Sequence, residues 1–337
     1  MATLIIHIPC FNEAATLPRT LADLPRSVPG FDRVEWMVTD DGSTDDTSAV
    51  ARAHGVDHVV RLPVNRGLAT AFMTGLLVAL ERGADVIVNT DADNQYDAAC
   101  IPDLVAPIVA GRAMMVVGTR PIMETAEFPL AKKLLQRLGS WVVRLASGTR
   151  VPDAPSGFRA ISREAALRLY VFNTYTYTLE TLIQAGRMGL PVAAVPVRTN
   201  PSTRPSRLFR SMRGYVLRSM VTIFRIFVLY KPLRFFALLG LLVAVPGLVL
   251  GLRFLYFFAI GQGSGNIQSL ILVAILMVSS VVIFAAGVLS DLIAANRVLL
   301  AEIRTAQLRA RLGARGGGVD GTADRVGHEG QGDGADP

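Results

Sequence analysis

The chain has 337 residues, a formal net charge of +7 and a hydrophobic fraction of 51%. With a mean hydropathy of +0.41 it is too apolar for an ordinary soluble enzyme, and its length allows about two domains or one domain plus membrane elements. Residues 1–200 read as a normal globular domain, and the apolar surplus lies between residues 230 and 295. Cys10 and Cys100 stand far apart without metal-ligand spacing, which argues against a disulfide framework and fits a reducing compartment. "MATLIIHIPCF" reads as a first strand and not as a cleaved signal peptide.

In chain order, "LIIHIP" is a strand followed by a helix from near Glu13, and "VEWMVTDD" is a strand followed by a helix at "TDDTSAVARAHG". "HVVRLP" leads to a helix through "GLATAFMTGLLVALERG", and the strands "DVIVNTD" and "AMMVVGTR" follow. Strands alternating with helices predict parallel βαβ units in a doubly wound α/β sheet. Ligands of such sheets bind at the carboxyl ends of the strands. The polar clusters Asn12-Glu13, Asp40-Asp41, Asp91-Asp93 and Thr119-Arg120 all fall at those ends.

Residues 206–232 have a different character. At helical spacing Arg207, Arg210, Arg213, Arg218 and Arg225 share one arc, opposite Phe209, Met212, Val216, Met220, Ile223 and Phe227. This is the pattern of a basic amphipathic helix at a membrane interface. Two uncharged apolar stretches follow, predicted to span at about 233–259 and 269–290 within residues 233–294. Their connection "GQGSGNIQ" has no cation, whereas Lys231, Arg234, Arg297 and Arg304 flank the pair. The positive-inside rule then puts residues 1–205 and both termini in the cytoplasm, with the chain a multi-pass protein of the cytoplasmic membrane. Arg253 interrupts the first stretch and is expected to snorkel toward the far interface or a neighbouring subunit. Residues 295–337 form a tail, expected to be disordered from about residue 313.

Between Glu180 and Asp291 there are eleven Arg and Lys and no acid. These cations precede apolar stretches and do not alternate with stacking aromatics, so membrane lipid is the expected partner and nucleic acid is excluded. In "NTDADNQYD", Asp91, Asp93 and Gln95 alternate just past the apolar run ending at Val88. Asp favours turns in any case, so the spacing alone leaves a polar turn and a metal site both open. The strand-end position favours Mg²⁺ or Mn²⁺, hard ions that bind one or two carboxylates and then substrate phosphates.

"IPCFNEAATL", "TDDGSTDDT", "NRGLATAFMTGL", "TDADNQ", "VGTR" and "DAPSGFRAISR" occur in this order. The chain thereby resembles the family 2 glycosyltransferases of GT-A fold over residues 3–210. Within them it is similar to dolichol-phosphate mannose synthases and membrane-anchored bacterial polyprenyl-phosphate glycosyltransferases. The resemblance implies inverting transfer of a sugar from a nucleotide diphosphate sugar, UDP- or GDP-linked, to a polyisoprenyl phosphate. It implies a nucleoside pocket at Pro9, Phe11 and Glu13, with Asp40 or Asp41 reading base and ribose. Capping by Ser43, Thr44 or Asp45 is the structural alternative for that loop. It also implies a donor and metal motif at Asp91, Ala92, Asp93 and Gln95, and a basic residue near the phosphates at Arg120.

A polyprenyl phosphate is already anionic, so its transfer needs cationic positioning in place of a strong base. Lys132, Lys133, Arg159, Arg204 and Arg207 are candidates for the acceptor phosphate. Arg159 has a second reading, a structural ion pair with Asp153. Asp93, Arg120, Arg207 and Glu180 are the candidate catalytic groups, with a solvated helix face the alternative for Glu180. The resemblance further implies a homo-oligomer, a tetramer as in similar anchored enzymes. The competing functions are transfer to another lipid acceptor and a non-catalytic membrane subunit that binds nucleotide sugar.

Overall fold

A computed structural model describes residues 1–120, 139–141, 143–171, 177–201, 221, 224, 225, 228, 230–261 and 267–316. Its centre is a seven-stranded sheet of order β3-β2-β1-β4-β6-β5-β7. The strands are β1 (Thr3–Cys10), β2 (Arg33–Asp40), β3 (His58–Arg61), β4 (Val86–Asn89), β5 (Met115–Thr119), β6 (Arg159–Ser162) and β7 (Val192–Pro196). The helices are α1 (Leu17–Asp23), α2 (Thr47–Ala53), α3 (Leu68–Glu81), α4 (Ile101–Val109), α5 (Arg163–Arg168), α6 (Thr178–Arg187), α7 (Pro232–Ala259) and α8 (Ile267–Gly316).

β1 pairs in parallel with both β2 and β4, and all eight of its residues are buried. Its alternation divides the core. Leu4, Ile6 and Ile8 join Leu17, Leu21 and Leu104 on one side, while Ile5 joins Phe72, Leu76 and Leu80 of α3 on the other. Covered on both faces, such a strand reads as a continuous apolar run. Its imidazole, His7, is fully buried with Nε2 3.0 Å from Thr39 Oγ1. Gly75 of α3 leaves room for it, since a Cβ there would lie 2.0 Å from the imidazole.

The parallel βαβ pattern is interrupted at one strand that the sequence pattern does not mark. β6 inserts between β4 and β5 and runs antiparallel to both. It has four residues and begins at the buried Arg159, so neither length nor alternation marks it in the sequence.

α7 and α8 are long and apolar enough to cross a membrane, and they pack as an antiparallel hairpin. Gly240 faces Ser280, Gly247 faces Met277 and Gly287 faces Phe236. Glycines let helix backbones approach closely, and Ser280 Oγ donates to the Gly240 carbonyl at 2.9 Å. Arg253 turns its guanidinium over the Phe257 ring, 5.6 Å from the centroid. The basic amphipathic helix expected over 206–232 lies largely outside the described residues.

α8 does not stop near residue 290. It continues without interruption to Gly316, and its last turns return to the sheet domain. There Arg304 donates to the Leu169 carbonyl at 3.1 Å and Thr305 Oγ1 to that of Leu167 at 3.2 Å. Leu308 and Leu312 pack on the α3-side core, while Arg309 pairs with Glu164 and Arg311 with Glu81. Part of the expected tail is therefore a docked helix, and residues 317–337 lie outside the described residues.

Candidate active site

The parallel pairing of β1, β2 and β4 brings the loops after them together at one sheet edge. The first two loops are joined through Asn12, which adopts a left-handed conformation with φ 55°. Its backbone N–H donates to Ser43 Oγ at 2.9 Å, and its Oδ1 accepts from the Thr44 N–H at 2.8 Å. Glu13 N–H donates to Thr47 Oγ1 at 2.9 Å. Pro9 is a buried strand residue paired with Thr39. Phe11 is 40% exposed at the strand end.

Asp40 and Asp41 are both buried, and each holds a loop. Asp40 accepts from the Ser43 N–H at 2.8 Å and from Ser48 Oγ. Asp41 accepts from the N–H groups of Arg66 and Gly67, each at 2.8 Å. Neither aspartate caps α2, whose N-cap Asp46 makes no side-chain capping hydrogen bond. Thr47 N–H and Oγ1 also donate to Asp45 Oδ1, tying the loop to the first residue of α2.

The "DADNQ" turn follows β4 and is anchored on several sides. Thr20 Oγ1 of α1 donates to the Ala92 carbonyl at 2.9 Å. Asn94, with φ 55°, donates to Asp23 Oδ2 at 2.7 Å. Asn200, past β7, donates to the Asn94 carbonyl through its side chain and to the Gln95 carbonyl through its backbone. Asp93 Oδ1 accepts from the Gln95 N–H at 3.1 Å. Asp91, Asp93 and Gln95 are all half-buried.

Behind Asp91 lies the loop before β6. A Cβ added to Gly157 would sit 3.0 Å from both Asp91 carboxylate oxygens and 3.0 Å from the Tyr177 hydroxyl. Asn89 Nδ2 donates to that hydroxyl at 2.7 Å and to the Gly157 carbonyl at 3.0 Å. Gly157 N–H in turn donates to the Tyr96 hydroxyl at 3.0 Å. Burial, and then the neighbouring Asp93 charge, push the Asp91 carboxyl up to about 7 against the opposing pull of Arg120. Two mutually repelling carboxylates on an immobilised turn form an electrostatic trap for a cation.

Arg120 reaches this cluster from the end of β5. Its Nε and Nη2 donate to the two oxygens of the buried Asp153 at 2.8 and 3.0 Å. Its guanidinium carbon lies 5.9 Å from the Tyr96 ring centroid. Asp153 thus pairs with Arg120 and not with Arg159. Arg159 is completely buried and donates to the carbonyls of Ser156 and Ala154 and to Thr181 Oγ1. Its guanidinium holds the 154–156 loop, so the acceptor-phosphate role expected of it is not supported by its placement.

Glu180 sits in the first turn of α6 at 6% exposure, which excludes the solvated helix face. It faces Gln184, whose Nε2 is 3.4 Å from its Oε1, and the Tyr230 hydroxyl just ahead of α7. Burial and the adjacent Glu180 charge raise the Tyr230 pKa. Lys132, Lys133, Arg204 and Arg207 lie outside the described residues. Asn89, Tyr96, Gly157, Tyr177 and Asn200 are not assigned roles in the sequence, and Asp153 is paired there with Arg159, because their relation to Asp91 and Arg120 arises only on folding.

The donor set can be tested against a divalent ion. Among the described residues no three His, Cys, Asp or Glu side chains gather in metal-binding geometry. Asp91 and Asp93 on this turn, with Gln95 two residues on, instead offer a sparse set of oxygen donors. This fits Mg²⁺ or Mn²⁺, which retain positions for water and phosphate oxygens.

Comparison with known proteins agrees with this geometry. The glycosyl transferase family 2 profile matches residues 5–169. An undecaprenyl-phosphate mannosyltransferase of Micrococcus luteus is 30% identical over 200 residues, covering 56% of this chain and 80% of that protein. A UDP-N-acetylglucosamine–dolichyl-phosphate N-acetylglucosaminyltransferase of Methanococcus voltae is 30% identical over 226 residues, covering 59% and 87%. Among solved structures, glucosyl-3-phosphoglycerate synthase from Mycobacterium tuberculosis, in complex with Mn²⁺, UDP and glucosyl-3-phosphoglycerate, superposes with a TM-score of 0.51. It is 25% identical, with 66% of this chain and 80% of that one covered. This chain is a GT-A enzyme of glycosyl transferase family 2.

Proposed function

We propose that the protein transfers a sugar, with inversion, from a nucleotide diphosphate sugar to a polyisoprenyl phosphate at the cytoplasmic face of a membrane. The anomeric carbon–oxygen bond to the β-phosphate breaks, a bond to an oxygen of the lipid phosphate forms, and the nucleoside diphosphate leaves. The observation that carries this reading is the anchored Asp91–Asp93–Gln95 turn in a chain that also bears two helices long enough to span a membrane. The relatives named for undecaprenyl- and dolichyl-phosphate transfer support it.

In this reading the nucleoside rests near Pro9, Phe11 and Glu13, with Asp40 and Asp41 shaping the wall that meets base and ribose. A Mg²⁺ or Mn²⁺ ion held by Asp91, Asp93 and Gln95 would neutralise the leaving diphosphate. Arg120, fixed by Asp153, contributes positive charge on the same side. Lys132, Lys133, Arg204 and Arg207 are the cations proposed for the acceptor phosphate. Residues 1–205 form the catalytic unit, 206–232 an interfacial helix and 233–294 the membrane hairpin, and the assembly is a homo-oligomer. UDP is the favoured nucleotide, in line with the UDP-bound structural relative.

The placement of Glu180 favours a phosphate acceptor over a lipid hydroxyl. A hydroxyl needs a general base, and Glu180 is buried against Gln184 and Tyr230. The test is a panel of UDP- and GDP-sugars with polyprenyl phosphate, products identified by mass spectrometry. The expected result is a polyprenyl-phosphate sugar formed only with added divalent metal and lost in Asp93→Ala. Absence of transfer from every donor, or full activity of Asp93→Ala, overturns the reading.

A further inference from the structure

The end of α6 opposite the nucleotide side carries a second polar feature. Tyr177, at the N-terminal end of α6, touches the Asp91 cluster through Gly157. Arg187 closes the other end, about 15 Å away at 1.5 Å per residue. There a cleft of about 220 Å³ is lined by Ala146, Arg187, Lys231, Leu233, Arg234 and Asp291. It lies where the catalytic domain, the start of α7 and the flank of α8 meet.

Its chemistry is that of an anion site. Arg187 is oriented by a 3.0 Å hydrogen bond from Nη1 to the Tyr230 carbonyl, with its guanidinium carbon 5.9 Å from the Tyr230 ring centroid. A guanidinium has five N–H donors, so this one bond leaves others to address the cleft. Lys231 directly precedes α7, and its side chain makes no capping hydrogen bond. The first-turn N–H groups of a helix lack intrahelical acceptors and favour an anion; Pro232, which opens that turn, has no N–H, so Leu233 and Arg234 supply them. Among the described residues, Asp291 is the one carboxylate lining the cleft, against three cations.

The surroundings indicate an anion attached to an apolar chain. Below Arg234, at helical spacing on the same face of α7, come Leu238, Leu241 and Val245, exposed by 67%, 58% and 48%. An anion seated on Arg187, Lys231 and Arg234 would therefore have an apolar track leading away along the helix into hydrocarbon. Free phosphate would use the cations and leave this track uncovered.

We propose that this cleft is a binding site for the phosphate of an anionic lipid, distinct from the donor site and located at the joint between catalytic domain and membrane hairpin. The proposal rests on the membrane reading given above. Lipid phosphate has two sources, a bulk phospholipid headgroup and a polyprenyl phosphate awaiting transfer. In either case the ligand bridges Arg187 of the catalytic domain to Lys231 and Arg234 of the hairpin. Through Tyr230 it also fixes the segment that contacts Glu180 and Gln184.

The experiment is native mass spectrometry of the full-length protein released from vesicles of equal phosphatidylglycerol and phosphatidylcholine. Wild type is expected to retain phosphatidylglycerol preferentially, and Lys231→Gln/Arg234→Gln to lose that preference roughly tenfold, since each basic residue near an anionic surface contributes a severalfold effect. Lys231→Arg/Arg234→Lys, which keeps both charges, should restore it. Displacement by added undecaprenyl phosphate identifies the acceptor as an occupant, and retention of phosphatidylglycerol against it identifies bulk phospholipid. Equal retention by wild type and the Gln variant overturns the site, as does displacement by millimolar inorganic phosphate alone. UDP binding by the Gln variant checks that the catalytic domain is folded. Extraction of wild type from vesicles by alkaline carbonate would instead overturn the membrane reading itself.

Discussion

Asp91 rests with both carboxylate oxygens against the Cα of Gly157, so that a single added methyl would sit 3.0 Å from each. This contact fixes where the carboxylate points, because Gly157 is itself held by Tyr96 on one side and Asn89 on the other. Gly157→Ala should therefore displace Asp91. A shift of this kind at a reacting centre costs on the order of a hundredfold in rate. Steady-state kinetics should show kcat/KM falling by roughly that factor, with the larger part in kcat. Unchanged kinetics would mean that Asp91 is free to choose its own position.

The Arg120–Asp153 pair is a two-pronged, largely buried ion pair, with side-chain exposures of 14% and 2%. Removing one partner leaves a buried charge alone, at a cost of about 3 kcal/mol. Asp153→Ala should lower the melting temperature and the activity together. Arg120→Lys retains the charge but loses the two-pronged geometry, so it should lower activity with a smaller change in stability. A double-mutant cycle measured by urea unfolding gives the coupling, and a coupling near zero would contradict the pairing.

His7 makes stability depend on pH. Burial holds its pKa down at about 4, against 6.5 for an exposed imidazole. The unfolded chain thus binds a proton that the folded chain refuses. The stability from keeping His7 neutral is complete above pH 6.5 and is lost as pH falls through about 4. The total is roughly 3 kcal/mol at about 1.4 kcal/mol per pH unit. His7→Gln should give a shallower decline in melting temperature across this window than wild type. Parallel curves would show that His7 is not the titrating group.

The returning end of α8 predicts a stability link between the two halves of the chain. Leu308 and Leu312 pack on the core beside α3, and Thr305 is 8% exposed. Leu308→Asp/Leu312→Asp places charge against apolar surface and should lower the melting temperature of the catalytic domain by several degrees, for a loss of about 2 kcal/mol. The change is remote from the apolar spans, so membrane retention should be unaltered. Hydrogen exchange should show α3 and α5 opening first.

Local pattern carried most of the architecture. Alternating apolar runs and helical stretches place β1 to β5 and α1 to α3 where they are found, because a central parallel strand covered on both faces can hardly be anything but continuously apolar. The position of "DADNQ" at a strand end follows from the same reasoning, and the two long helices follow from hydropathy alone. Which partners meet was decided by tertiary structure. Arg120 finds Asp153 across 33 residues, Gly157 finds Tyr96 across 61, and Arg309 finds Glu164 across 145. The antiparallel β6, the buried role of Arg159 and the docking of α8 belong to the same class. Sequence periodicity reports which face of an element is apolar, but a polar side chain's partner depends on how the elements stack. A buried arginine or glycine therefore acquires its role only when distant segments are brought together.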